Sequence, residues 1–458
     1  MDIFEKLNVN KTKLYEASSD VRKMISSIID ENSFVELNAF SFGKNEFFEE
    51  DLDGLGVVTG YARIDDYPVY IVAQNGKILN GSLTKANCEK INNCLIKAGE
   101  SNVPVIYLLD SQGVQVGEGI GVMEGLAQVL STATALKGVV SQFAVVVGDV
   151  YGSLSILTTI CDYTILVGNK VVSYTSPQVI SASANGVEKS VIGGDKAENG
   201  VATFSVKDIK DVKDCILKIY SVIPEYTSIY EDTQDDLNRN AIVLNAKKDA
   251  KSLITALFDK DSFVELNGGY AKEVLTGVGR VGGISVASII FDGGEEGVSL
   301  NLLNVLKIKN FVNFVNDNNM PMVNLVNTKG IKEDFTTAKT PVLAEFANML
   351  YALKTVDIVS VVYGKAIGLG YTAFVSKEFG VRYSYAFCDS KISLLDGDLG
   401  VACEFGVIEQ DKINDLKTKY ADKQDAINSA RLGCVDNVIE PQYLRQHVIS
   451  VLQMIIRN

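Results

Sequence analysis

Ser33-Phe34-Val35-Glu36-Leu37-Asn38 recurs unchanged as Ser262-Phe263-Val264-Glu265-Leu266-Asn267, 229 residues further along the chain. Each copy follows a helical pattern that ends in two apolar residues and an aspartate, Ile28-Ile29-Asp30 and Leu257-Phe258-Asp259. Downstream, Val57-Val58-Thr59-Gly60-Tyr61-Ala62-Arg63-Ile64 returns as Val274-Leu275-Thr276-Gly277-Val278-Gly279-Arg280-Val281 at an offset of 217, so the first copy carries 12 extra residues between the two matches. Asn102-Val103-Pro104-Val105-Ile106-Tyr107-Leu108-Leu109-Asp110 pairs with Asn319 to Asn327 at 217, and Val147-Gly148-Asp149-Val150-Tyr151-Gly152 pairs with Tyr363-Gly364-Lys365-Ala366-Ile367-Gly368 at 216. Four matches in one order mark a tandem duplication, and a duplication sets the architecture before any single motif does.

The polar stretch 224–250, with its turn formers and acidic run Asp232 to Asp236, reads as the seam. The expected domains are therefore 1–228 and 245–458. Short β-branched runs such as Val69 to Ala73 and Phe143 to Val147 read as buried strands, and Cys88 to Ile96 and Val342 to Leu350 as helices. Strands alternating with helices imply an α/β fold with mainly parallel sheets and right-handed crossovers.

Composition narrows the chemistry. A chain of 458 residues with 47% hydrophobic residues can bury two cores, and a net charge of −14 opposes the phosphate field of nucleic acid. No nucleic-acid partner is expected. The N-terminus lacks a signal-peptide core and no apolar run reaches spanning length, so the expected location is cytoplasmic. Seven cysteines without C-x-x-C spacing indicate reduced, buried thiols and no metal. The lone histidine, His447, lies in an amphipathic terminal pattern, which makes histidine triads and histidine acid/base pairs difficult. Chemistry must then come from carboxylates, backbone dipoles or a cofactor.

Each half contains a strand, a glycine-bearing loop and a helix start, at Gly148 to Ser153 and at Gly364 to Gly370. Small residues let the backbone approach a ligand, and unpaired N–H groups at the helix start can face a carbonyl oxygen. Such a loop is either an oxyanion hole or a turn that needs glycine for close packing. Gly117-Glu118-Gly119-Ile120-Gly121 lacks the spacing of a dinucleotide fingerprint.

At these residues the chain resembles the carboxyltransferase superfamily, which comprises β-type subunits of acetyl- and propionyl-CoA carboxylases and α-type subunits of biotin-dependent acyl-CoA decarboxylases. The resemblance runs through Ile29 to Leu37, Gly56 to Gly60, Ala73-Gln74 leading to Gly81-Ser82-Leu83, Asp110-Ser111-Gln112-Gly113 with Glu118-Gly119, the loop at Gly152, Ser176 to Ile180, and Gly193-Gly194 followed by Gly200-Val201-Ala202. It implies two crotonase-like (ClpP/crotonase) domains, with an acyl-CoA thioester bound by the first half and carboxybiotin by the second half of another subunit. Backbone N–H groups of Gly152 and Ser153 would then polarise the thioester carbonyl, and those of Gly368 and Leu369 would take the biotin ureido oxygen. Gly81, Ser82, Gly113, Glu118 and Tyr371 fall in the implied substrate-binding segments, with Tyr371 restricting the acyl group to acetyl or propionyl size.

The resemblance also implies biotin on a separate biotin carboxyl carrier protein, a biotin carboxylase or membrane decarboxylase subunit as a further partner, and a homodimer or hexamer. Gln112, Gln115, Ser153, Asn80 and Leu369 depart from the family pattern. Carboxylase and decarboxylase directions (methylmalonyl-, glutaconyl-CoA or malonate type), a crotonase hydratase with Glu118 as its carboxylate, and an impaired assembly subunit are the readings these residues leave open.

Overall fold

The computed structural model describes residues 2–41, 56–176, 179, 200–245, 248–406 and 413–456. Pro177, Gln178, Ile180, Gly193 and Gly194, which contribute to the resemblance, lie outside them. Two compact units emerge, Met1–Leu217 and Lys218–Asn458. Within the second, residues that follow the first repeat are tied in by Ser285 N–H donating to the Ile229 carbonyl and Ala241 N–H to the Gln442 carbonyl.

The first unit holds β1 (Val35–Leu37), β2 (Val57–Ile64), β3 (Tyr67–Gln74), β4 (Val105–Ser111), β5 (Gln142–Tyr151), β6 (Tyr163–Val167), β7 (Val172–Ser173) and β8 (Phe204–Val206). Its sheet runs β1-β2-β3-β4-β5-β6-β8, with β7 beside β5. The second unit holds β9 (Val264–Leu266), β10 (Val274–Val281), β11 (Ile284–Phe291), β12 (Val298–Leu300), β13 (Met322–Ile331), β14 (Ile358–Ile367), β15 (Val381–Phe387), β16 (Lys391–Ser393) and β17 (Asn437–Ile439). Its sheet runs β9-β10-β11-β13-β14-β15-β17, with β16 beside β14 and β12 beside β13. In both units the first three strands are antiparallel and the rest parallel.

The repeated letters have a mechanical cause. A Cβ on Gly60 would stand 2.5 Å from the Phe34 ring and on Gly277 2.5 Å from the Phe263 ring, so the phenylalanine of one repeated motif requires the glycine of the next. Asn38 and Asn267 turn the chain out of β1 and β9 with φ of 53° and 56°, a left-handed conformation that asparagine tolerates. Asp30 accepts the N–H groups of Asp65 and Asp66, and Asp259 those of Gly282 and Gly283, which closes the same hairpin in each unit.

Lys90 and Lys307, 217 residues apart, are buried in the equivalent helices Lys85–Ser101 and Leu302–Asp317. Lys307 Nζ donates to the Tyr270 carbonyl at 2.7 Å, whereas Lys90 Nζ has no hydrogen-bond partner among the described residues. Burial brings both ammonium groups down to about 8. Because the folded pKa of Lys90 lies below its unfolded value of 10.5, the charged form disfavours folding fully below pH 8. That cost disappears as pH rises from 8 to 10.5. Lys90→Met should therefore raise stability at pH 7 by up to about 3 kcal/mol, the free-energy equivalent of this pKa depression. Urea denaturation at pH 7 and pH 10 checks it: an equal gain at both pH values would refute a charge origin.

Of the seven cysteines, Cys88, Cys94 and Cys161 are buried as expected, but Cys388 and Cys403 are exposed and Cys215 and Cys434 half-buried. Cys388 follows the end of β15 and Cys403 occupies the helix Gly397–Phe405, positions whose exposure depends on which neighbouring elements cover them. No helix among the described residues is long and apolar enough to cross a membrane.

Candidate active site

In each unit two glycine turns meet at the carboxyl end of the central strands. Gly113 follows β4 with φ of 110°, and its N–H donates to Ser111 Oγ at 3.1 Å, while that hydroxyl donates to the Gly81 carbonyl at 2.8 Å. At the corresponding place Gly330 has φ of 83°, its N–H donates to Thr328 Oγ1 at 3.1 Å, and Thr328 donates to the Val298 carbonyl at 2.8 Å. The repeat thus continues past Asp110 and Asn327 to a hydroxyl and a glycine. Ser111 and Gly113 are among the residues of the resemblance, and carrying the third match three residues further reaches Thr328 and Gly330 as their counterparts.

The second turn is Gly152 (φ 69°) after β5 and Gly368 (φ 52°) after β14. A Cβ on Gly152 would stand 3.5 Å from the Gly113 Cα, and one on Gly330 3.2 Å from the Gly370 nitrogen and 3.6 Å from that of Leu369. The two turns are therefore in contact in both units. The N–H groups of Ser153, Leu369 and Gly370 make no hydrogen bond among the described residues. These backbone donors fit a carbonyl oxygen, which accepts without carrying a proton.

Gly148 and Gly364 belong to the other reading. Side chains of Asp110 and Asn327 stand where their Cβ atoms would be, at 2.0 and 2.4 Å, so these glycines serve close packing.

The remaining predicted positions divide. Gly81 approaches the backbone so closely that a Cβ would lie 1.9 Å from the Asp110 carbonyl oxygen, and Ser82 is half-buried beside it. Glu118 Oε2 accepts the Lys85 N–H at 2.7 Å at the start of the helix Lys85–Ser101. The Tyr371 hydroxyl donates to the Cys434 carbonyl at 3.0 Å, and burial first, with Cys434 adding, pushes that hydroxyl up to about 12. His447 sits on the helix Leu444–Ile455 with its ring 5.5 Å from that of Tyr385. A cleft of about 680 Å³ lined by Lys11, Tyr15, Arg22, Glu36 and Phe40 contains none of the predicted residues, and Arg22 and Glu36 are paired within it.

Duplicated sheets with duplicated glycine turns coincide with a match of residues 16–458 to the carboxyl transferase domain model. The chain belongs to the carboxyl transferase domain family. As a member it is a carboxyltransferase, and its relatives match along nearly its whole length. It is 29% identical to methylmalonyl-CoA decarboxylase subunit alpha of Veillonella parvula, over 95% of this chain and 89% of that protein. It is 26% identical to the methylmalonyl-CoA carboxyltransferase 12S subunit of Propionibacterium freudenreichii subsp. shermanii (96% and 89%) and 27% identical to the propionyl-CoA carboxylase beta chain of Saccharopolyspora erythraea (95% and 87%). A transcarboxylase 12S subunit, crystallised as a hexamer with methylmalonyl-coenzyme A and methylmalonic acid bound, superposes with a TM-score of 0.90 at 24% identity, covering 100% of this chain and 95% of its own. That likeness establishes the fold as a pair of crotonase-like domains.

Proposed function

We propose that this chain is the carboxyltransferase subunit of a biotin-dependent acyl-CoA carboxylase, moving a carboxyl group between biotin on a separate carrier protein and an acetyl- or propionyl-sized acyl-CoA. One observation carries the reading: both units place unbonded N–H groups beside a hydroxyl-tied glycine turn, which is a carbonyl-binding device built twice. The first unit, through Gly152 and Ser153, holds the thioester carbonyl and stabilises negative charge on its oxygen as the α-carbon gives up its proton. The second unit, through the N–H groups of Leu369 and Gly370, holds the ureido carbonyl of biotin; the Gly368 N–H, which the resemblance also assigned to it, already donates to the Ser393 carbonyl at 2.9 Å. When bound, biotin supplies the carboxyl group and a nitrogen base. The protein contributes alignment and fixed dipoles, which suits a chain with a single histidine.

Acyl-CoA and biotin would meet between the first half of one subunit and the second half of another, so the active species is at least a dimer. A biotin carboxyl carrier protein and a biotin carboxylase are the corresponding partners. The 29% identity with methylmalonyl-CoA decarboxylase subunit alpha supports a second reading, the same half-reaction run toward decarboxylation with a membrane subunit.

The test is transfer of labelled carboxyl from methylmalonyl-CoA or malonyl-CoA to a biotinylated carrier domain by the purified chain. Labelled carrier supports the proposal, and no transfer from either thioester overturns it. Co-purification with a biotin carboxylase or with a membrane protein then separates the two directions.

Tyr371 gives a finer expectation. If its ring limits the acyl group, Tyr371→Ala should improve kcat/KM for a longer acyl-CoA relative to propionyl-CoA by about 1–3 kcal/mol per methylene admitted. An unchanged ratio in a folded, active variant would leave Tyr371 only its bond to the Cys434 carbonyl.

A further inference from the structure

Around the second unit's turns stands a set of charges that the first unit lacks at the equivalent described positions. Lys365, near the end of β14, and Lys329, near the end of β13, both reach Asp396 Oδ2, at 2.9 and 3.3 Å. Both also face Glu296 Oε2, at 3.8 and 2.7 Å. The set adjoins the turns directly: Lys329 precedes Gly330, and the Gly368 N–H donates to the Ser393 carbonyl three residues before Asp396. At the repeat-equivalent positions the first unit has Gln112 for Lys329, Asp149 for Lys365 and Leu79 for Glu296. The same backbone is thus built there without the cations, so the lysines are not needed to form the turns.

The two carboxylates are held differently. Asp396 is one-quarter exposed and contacts both ammonium groups, Lys365 being only 12% exposed. Glu296 is 81% exposed and sits in the Gly293–Gly297 loop, where Gly294 and Gly297 have positive φ. An exposed ion pair contributes little net stability and exchanges readily. Asp396 is therefore the standing counterion of Lys365, and Glu296 an exchangeable one on Lys329.

We propose that Lys329 and Lys365 form a receptor for the carboxylate in transit at the second-unit turn, and that Glu296 occupies Lys329 until this carboxylate displaces it. The assignment rests on the reading of the second unit as the half that takes the carboxylated carrier. A planar carboxylate fits because two ammonium groups converge on one carboxylate oxygen of Asp396 and on one of Glu296, beside N–H groups free to hold an adjoining carbonyl.

The first experiment needs no turnover. The intact protein is acetylated with an N-hydroxysuccinimide ester and the extent at each lysine is read by mass spectrometry, with exposed Lys332 as internal reference. Glu296 holds the Lys329 ammonium above its ordinary range, so Glu296→Gln should raise acetylation of Lys329 several-fold relative to Lys332. Bicarbonate should reverse that rise, and chloride at the same ionic strength should not. Unchanged labelling in Glu296→Gln, or equal protection by bicarbonate and chloride, overturns the proposal.

The second experiment uses the carboxyl-transfer assay. Lys329→Met should raise KM for the carboxylated carrier roughly tenfold, as loss of one charge-assisted contact implies, with acyl-CoA affinity unchanged. Glu296→Gln should lower that KM. A wild-type KM in Lys329→Met overturns the receptor. If the wild-type chain transfers nothing, the functional reading fails, while the bicarbonate result still decides whether the lysines bind a carboxylate.

Discussion

Gly330→Val is expected to lower carboxyl transfer by about 10²–10³-fold, the loss that follows removal of one oxyanion donor. With φ of 83°, Gly330 holds a backbone conformation that a β-branched residue disfavours. Its Cβ would also lie 3.2 Å from the Gly370 nitrogen and 3.6 Å from that of Leu369, in front of the N–H groups assigned to the biotin carbonyl. The first-unit turn is untouched, so acyl-CoA should bind as it does to the wild-type protein. Steady-state transfer combined with calorimetric titration of acyl-CoA separates the two effects. Wild-type transfer by a folded Gly330→Val protein would remove the second turn from the chemistry. Gly113→Val, at φ of 110° and with its Cβ 3.3 Å from the Tyr151 carbonyl oxygen, should damage the acyl-CoA side.

The largest stability effect is expected at Arg445. Its side chain is fully buried, donating to Asp259 Oδ1 and to the Leu257 carbonyl, each at 2.6 Å, and to the Asp236 carbonyl at 3.1 Å. Arg445→Ala leaves the buried Asp259 carboxylate without its cation and should cost about 3–5 kcal/mol. In the first unit the same hairpin aspartate, Asp30, is paired with Lys213 at 2.8 Å, and both side chains are about 30% exposed. Lys213→Met should therefore cost only about 0.2–1 kcal/mol, because solvent screens an exposed pair. Denaturant midpoints of the two variants check the contrast, and equal shifts would refute burial as its cause.

The duplication was legible because its signals are local and steric. A glycine that must admit a phenylalanine ring, an asparagine that must turn the chain and an aspartate that must close a hairpin leave letters at fixed spacing. The paired turns were legible for the same reason, although the spacing of Gly148 and Gly152 does not reveal which of the two serves packing. Glu118 shows the opposite case. Its loop does not reveal that its oxygen accepts a backbone N–H of the helix that begins at Lys85, 33 residues earlier in the chain.

The chain by itself determined the two-fold repeat, the α/β class and the backbone character of the candidate sites, since each follows from residue size and backbone conformation within a few positions. Tertiary structure alone decided that Tyr371 spends its hydroxyl on the Cys434 carbonyl, that Cys388 and Cys403 face solvent, and that Lys329, Lys365, Glu296 and Asp396 converge. Those four residues span 100 positions of sequence, and they meet because β13 lies beside β14 while the loops after β11 and β16 come to the same strand ends. Charges at such separations carry no periodicity along the chain, and only the sheet order places them within a few ångströms of one another.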